Sequence, residues 1–257
     1  MIYFDKYSYF TKLKNTHPAE KFVFSVGSII IASFSKSIVL SFCVFFTVSL
    51  LIVFFAKIKL TVYLKSLSVP LYFLVPSCIV LAFSSIKEHS IIMLPFLNLA
   101  ISHKSLINSI FLLFKSLSIV SLLYFLILTT SLTEILNIFT KLKFPKLLIE
   151  IASLTYRFIF ILLDCANNIY ISQNSRCGYG TIKNSFKSLG YLITNLFSIS
   201  LQKSNLIYNS LESRCYNGEF NFLQKKYLFS LKNILFIVIF DVILILGLII
   251  SRLKNIL

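Results

Sequence analysis

Charge is scarce in this 257-residue sequence. Only 13% of it is Asp, Glu, Lys or Arg, about half the share found in soluble domains, and 57% is hydrophobic. One soluble core of this size could not hide so much Phe, Leu and Ile. The bilayer is the natural solvent for the excess. Acids are scarcer still, nine against 25 basic residues, for a net charge of +16. On a soluble chain that imbalance would raise the question of nucleic acid. On so apolar a chain it first means orientation through the positive-inside rule, and no nucleic-acid partner is expected.

Other absences narrow the field. The five cysteines, Cys43, Cys78, Cys165, Cys177 and Cys215, are odd in number and scattered, with no CxxC pair. This argues against a disulfide framework. The three histidines, His17, His89 and His103, lie far from them in sequence, so no metal site is expected. No GxxxxGK[ST] phosphate loop is present. No small-x-small cleavage site follows the basic N-terminus, so the first apolar run is read as a retained span.

The apolar runs suggest five spans: Phe22 to Phe34, Ile38 to Ala56, Val69 to Ile86, Phe111 to Thr130 and Leu231 to Ile250. The first is short against the ~20 residues that a crossing needs. Lys36 marks an outer turn. Lys57 to Ser68 reads as an amphipathic interfacial piece, with Pro70 opening the third span and Pro76 inside it. Lys87 to Lys104 reads as a loop. Lys115 is expected to snorkel from one end of the fourth span. The organisation is thus a membrane region over 1–130, a polar section over 131–230, and a last span with a short tail over 231–257. Eleven basic residues lie between Lys141 and Lys226, four between Lys6 and Lys21, and three between Lys57 and Lys65, together 18 of the 25. A cytoplasmic N-terminus, a cytoplasmic 131–230 section and an outside C-terminus satisfy that bias in a multi-pass cell-membrane protein. Asp241 is the one acid in the last span. It is either functional or paired with a polar group on a neighbouring helix.

Two long helical patterns occupy the polar section. The first begins after Pro145, suited to a first helical position, and runs to about Arg176. Glu150, Arg157 and Asp164 recur along one stripe, opposite Leu147, Leu148, Ile151, Leu154, Phe158, Ile161 and Leu162. The alternative is that this helix is another span. The second runs from about Leu189 to Arg214. Asn195, Ser198, Gln202, Asn205, Asn209 and Glu212 form a polar stripe spaced by three and four residues. Both patterns end in the same triplet: Ser175-Arg176-Cys177 before Gly178, and Ser213-Arg214-Cys215 before Tyr216-Asn217-Gly218-Glu219. The glycines suit helix C-caps. An arginine in a last turn complements the helix dipole. The repetition needs more than capping. Arg presents a planar, permanently charged donor fork suited to carboxylates on a partner, and two such forks make a two-point docking device.

The section resembles the T component of energy-coupling-factor transporters, especially the cobalt-type members called CbiQ. The resemblance rests on Thr129-Thr130, Leu132-Thr133-Glu134, Phe144-Pro145, Tyr156-Arg157-Phe158, the two triplets, and Arg214-Cys215-Tyr216-Asn217-Gly218-Glu219. His17-Pro18-Ala19-Glu20-Lys21 is similar to the family's Pro-x-x-Lys opening of the first span. The chain departs from the pattern by carrying Ser-Arg-Cys twice where the family has Ala-Arg-Gly. The strong match covers about 129–220. The resemblance implies an all-α membrane protein that is not itself an enzyme. Two cytosolic ABC-type ATPase subunits would dock on Arg176 and Arg214, bringing their own ATP and magnesium. A separate substrate-binding membrane subunit, the S component, would be reoriented by the movement, for cobalt or nickel ions. Pro145, Arg157, Gly218 and Glu219 would support the coupling section, and no cofactor is expected on this chain. Alternatives are a coupling subunit shared for vitamin uptake, a stand-alone secondary transporter, which would usually show related halves, an intramembrane enzyme built on Asp241, and a passive structural protein.

Overall fold

A computed structural model describes residues 11–35, 37–83, 90–94, 99–216, 227 and 230–254. A short 3-10 turn, Lys12–Asn15, leads into helix α1, Pro18–Ser33. Helix α2, Ile38–Leu50, continues through a π-helical turn, Leu51–Phe55. Helix α3 covers Leu60–Ala82. Strands β1, Ser90–Leu94, and β2, Leu99–Ser102, pair antiparallel. Five helices follow: α4, His103–Thr129; α5, Leu132–Lys141; α6, Lys146–Asn174; α7, Ile182–Glu212; and α8, Leu231–Lys254. Apart from the β1–β2 hairpin the architecture is helical, as expected of an all-α membrane protein. The chain divides into two compact units, Met1–Ile135 with Lys225–Leu257, and Leu136–Gln224.

In the first unit α4 packs against α1, α2 and α3, and α8 lies against α1 and α2. The core is built from Val44 and Val48 of α2, Ile52 of its π-helical turn, Tyr63 and Leu67 of α3, and Leu117, Leu122, Phe125 and Leu128 of α4. Phe24 of α1 stacks edge-on against Phe125 at 5.3 Å. Ser118 and Ser121 are fully buried on α4, where small side chains let helices approach closely. The outer faces are apolar, with Tyr72 and Phe73 standing out of the bundle.

Among the described residues four helices are long and apolar enough to cross a bilayer: Ile38–Phe55, Leu60–Ala82, Ser105–Thr129 and Leu231–Ser251. The run expected as a first span, Phe22 to Phe34, lies in α1, whose 16 residues reach only about 24 Å against a ~30 Å hydrocarbon core. The third helix begins at Leu60 rather than Val69. Lys57 to Ser68 is therefore not a separate interfacial piece. The break falls at Lys57, which takes a left-handed φ of 53°. The fourth helix begins at His103, eight residues before Phe111, so Lys115 lies well inside it. Its ammonium rests over the Phe111 ring, 5.6 Å from the centroid, instead of at a helix end. Of the Lys87 to Lys104 loop, Ser90–Leu94 and Leu99–Ser102 form the two paired strands, and His103 and Lys104 open α4. Residues 84–89 and 95–98, with Lys36, His89 and Pro95, lie outside the described residues.

Pro70 does not open α3; both it and Pro76 lie inside the helix. Proline at 70 has no N–H for the carbonyl four residues earlier, that of Ser66. The Tyr124 hydroxyl of α4 donates to that carbonyl at 2.9 Å. A neighbouring helix thus supplies the missing donor, as a proline within a membrane helix requires.

Tyr124→Phe should lower stability by about 0.5–1.5 kcal/mol, the range of a net hydrogen bond. In a Pro70→Ala background, where the amide returns, the same change should cost less. Thermal unfolding of the four proteins in detergent measures the difference; equal costs in both backgrounds would refute the compensation.

Candidate functional site: a braced helical hairpin and a buried polar knot

Helices α6 and α7 form an antiparallel hairpin. Their 29 and 31 residues correspond to lengths of about 44 Å and 46 Å. Pro145 is the N-cap of α6 rather than its first helical residue, with φ −52° and ψ 124°. Helix α7 starts seven residues earlier than its periodicity suggested. The Thr181 hydroxyl caps it by accepting from Asn184 N–H at 3.2 Å. Gly190 consequently lies inside the helix and not between the two. Asn195, Ser198, Gln202, Asn205, Asn209 and Glu212 are all exposed, while Leu192, Leu196 and Leu211 are partly covered. Leu206 is exposed as well. Arg157 and Asp164 are exposed on α6. Neither α6 nor α7 is among the four helices apolar enough to cross a membrane, although both are long enough.

The two triplets fold identically. Ser175 and Ser213 N–H groups donate to Ile171 and Asn209 carbonyls, four residues back, and their hydroxyls donate to the same carbonyls. Arg176 and Arg214 N–H groups bond three residues back. Cys177 and Cys215 take φ 56°. The following residues, Gly178 and Tyr216, close the turn by donating to Gln173 and Leu211 carbonyls at 2.9 and 3.0 Å. This is the Schellman cap. Its left-handed position belongs to the cysteines, and not to Gly178 or Gly218 as expected. It is also where the resembled pattern has glycine. Lys143 adopts the same conformation after α5, so the cap alone does not mark the tips. What they share is an exposed arginine immediately before the left-handed residue.

The tips stand at opposite ends of the hairpin. At the α6–α7 turn, Gln173 donates to the Ser188 carbonyl at 3.0 Å and Tyr179 donates to Gln173 Oε1 at 2.8 Å. Ser188 donates to the Gly178 carbonyl at 2.9 Å. At the other end, the Tyr216 hydroxyl donates to Glu150 Oε2 at 2.8 Å, near the start of α6. Glu150 and Arg176 are 26 positions apart along α6 and its cap, so Arg176 and Arg214 are separated by about 40 Å. A shallow groove beside Arg176 is lined by Asn168, Ser172, Gln173 and Asn195. Gly218 and Glu219 lie outside the described residues.

A second constellation sits in the membrane unit. Glu20 and Lys21, adjacent on α1, are both buried. Lys21 Nζ donates to the Thr129 carbonyl at the end of α4, at 2.9 Å. Glu20 accepts from Ser230 N–H at 3.0 Å and Asn233 Nδ2 at 2.9 Å, at the start of α8. Each charge meets the helix end that favours it, the cation a C-terminus and the anion an N-terminus. Glu134 accepts from the Ser131 N–H at 3.2 Å, a capping box that opens α5, and from the Tyr227 hydroxyl. Burial pulls the Lys21 ammonium down to about 8, against the opposing pull of Glu134 and Glu20. Deeper in α8, Asp241 accepts from the Ser28 hydroxyl of α1 at 2.8 Å. Gly27 leaves room for that carboxylate, since a Cβ there would come within 3.2 Å of Oδ2. The acid is therefore paired across two helices.

The motif residues Glu20, Lys21, Thr129 and Glu134 were visible in sequence, but their joint site was not. Tyr227, Ser230 and Asn233 carried no signal, because they meet partners 93 to 213 positions away. All five cysteines are free thiols, and no group of three or more metal-ligating side chains is gathered among the described residues.

The first unit carries four helices apolar enough to cross a membrane, and the second a long, largely unburied helical hairpin. A family model described as CbiQ, cobalt transport protein, matches residues 10–227, and the chain belongs to that family. It is 32% identical over 243 residues to an uncharacterized protein of Methanocaldococcus jannaschii, covering 94% of this chain and 90% of that one. It is 26% identical over 170 residues to the cobalt transport protein CbiQ of Salmonella typhimurium, covering 64% and 75%. It is 40% identical over 96 residues to a putative fused cobalt transport protein, CbiMQ, of Methanocorpusculum labreanum, 37% of this chain and 16% of the longer one.

Two outcomes are expected. Cys177→Gly and Cys215→Gly should each raise hairpin stability by up to about 1 kcal/mol, since the left-handed conformation costs a residue with a Cβ 1–2 kcal/mol and glycine's larger unfolded-state entropy takes part of that back. Denaturant titration checks this, and destabilisation would contradict the cap assignment. For Lys21, the native ammonium loses its proton near 8 and the unfolded one near 10.5. Between these values the unfolded chain binds more protons, so this group's contribution to stability rises with pH. The melting temperature of wild type relative to Lys21→Met should therefore climb from pH 8 to about 10.5; a flat difference would refute it.

Proposed function

We propose that this chain is the transmembrane coupling subunit of an ATP-driven importer of the energy-coupling-factor type, serving uptake of cobalt or nickel ions. The observation that carries the reading is the pair of identically capped, exposed arginines about 40 Å apart at the two ends of one hairpin. One tip suits one partner, and the separation suits two. Arg176 and Arg214 are the docking residues, each framed by its serine and cysteine. The partners are two cytosolic ATPase subunits, which carry the ATP and magnesium. Membership of the cobalt transport family supports the substrate class, and the fused cobalt transport relative supports work as one component of a larger transport assembly.

The hairpin's surface favours a protein-bound role. Helix α7 has no buried residue and α6 has one, Ile149. Ile182, Phe186, Leu189, Ile193 and Phe197 form an exposed apolar stripe at helical spacing. A continuous apolar patch of this kind marks an interaction surface. The basic excess favours a cytoplasmic hairpin, and a crossing by α8 then puts the C-terminus outside.

Co-purification of the two ATPases with wild type, Arg176→Ala, Arg214→Ala and the double variant tests the reading. Removing one side of a desolvated charge pair costs about 2–5 kcal/mol, so each single change should weaken capture at least about tenfold. The double variant should fold, insert and lose both ATPases. Capture and ATP-dependent uptake that survive without both arginines would reduce them to helix caps. Cobalt uptake by the chain alone would favour a stand-alone transporter.

A further inference from the structure

We propose that the Tyr216–Glu150 hydrogen bond is the strut through which movement of the second docking tip is delivered to the root of α6. This rests on the coupling-subunit reading. Tyr216 belongs to the motif that follows Arg214, yet docking itself gives it no task. Its backbone is locked to the tip, because its N–H closes the Schellman cap on the Leu211 carbonyl at 3.0 Å. Its side chain is half-buried. The hydroxyl reaches Glu150, 66 positions earlier and five residues into α6, at 2.8 Å.

The two tips are wired differently. The brace around Arg176 closes on itself: Gln173, Tyr179, Gly178 and Ser188 all belong to the turn between α6 and α7. A load at that tip is passed along α6 as a continuous helix. A load at Arg214 passes back along α7 toward the turn in the same way, and so would reach the start of α6 only by the long route. The bond to Glu150 adds a direct path from that tip to the start of α6. A phenol donating to a carboxylate is a charge-assisted bond, roughly twice as strong as a neutral one, and its rigid ring transmits displacement with little slack. The root of α6 runs directly back through Pro145 into α5, so both arginines act on one helix from its two ends. Tyr216 and Glu150 are positioning residues here, distinct from the arginines that touch the partner.

The experiment uses the full complex with both ATPases and the ion-binding membrane subunit in proteoliposomes. It reads ATPase capture, ATP hydrolysis and cobalt(II) taken up per ATP hydrolysed. Tyr216→Phe and Glu150→Leu should keep capture within about twofold of wild type, while cobalt per ATP falls on the order of tenfold, the factor set by losing a hydrogen bond to a charged group. The double variant should be no worse than either single one. Glu150→Gln, whose amide oxygen still accepts from the phenol, should restore most of the coupling. Normal cobalt per ATP in Tyr216→Phe or Glu150→Leu would overturn the strut. So would loss of capture in step with uptake, which would make the pair part of the cap, or equal failure of Glu150→Gln and Glu150→Leu. If wild type captures no ATPase, the coupling-subunit reading itself fails; capture with normal coupling in both truncations sinks only the strut.

Discussion

The ammonium of Lys21 on the Thr129 carbonyl, with Glu20 beside it on the start of α8, is the constraint around which the membrane unit is arranged. A helix end inside or near hydrocarbon exposes backbone groups that water cannot reach, and each one left unmet is costly. Two adjacent residues of opposite charge on α1 meet the end of one helix and the beginning of another. That is possible only where α4 finishes and α8 starts on the same face of the unit. The pair thus specifies direction as well as proximity. Glu134, bonded to Tyr227 and capping α5, ties the first turn after α4 into the same cluster.

The same economy recurs deeper in the unit. Pro70 removes a donor from α3 and Tyr124 of α4 returns one. Asp241 brings a carboxylate into α8, and Ser28 of α1 meets it where Gly27 makes room. Each awkward residue is answered by a neighbour on another helix. Lys115 follows a looser version, covering an aromatic ring on its own helix.

The hairpin obeys different physics. Almost nothing in α6 and α7 is buried, so local rules govern it: a proline before one helix, a threonine cap before the other, and a Schellman turn after each. Local rules are legible in sequence, which is why the repeated Ser-Arg-Cys and the spaced polar stripe identified both helices. They misled where a local signal was ambiguous. Gly178 and Gly218 outranked Cys177 and Cys215 as left-handed candidates because glycine is the usual occupant. The polar stripe placed the start of α7 at about Leu189, yet the helix begins at Ile182, behind the threonine cap.

Sequence by itself determined that the protein lives in a membrane, that it carries two long amphipathic helices, and that each ends on an arginine. These follow from composition and short-range periodicity, which need no knowledge of the fold. Tertiary structure alone decided that the arginines stand at opposite ends of one hairpin, that Tyr216 reaches Glu150, and that Tyr227, Ser230 and Asn233 join Glu20 and Glu134. It also decided that Pro70 continues a helix. Those facts depend on residues brought together from as far as 213 positions apart, and one chain read along its length holds no record of which distant donor meets which acceptor.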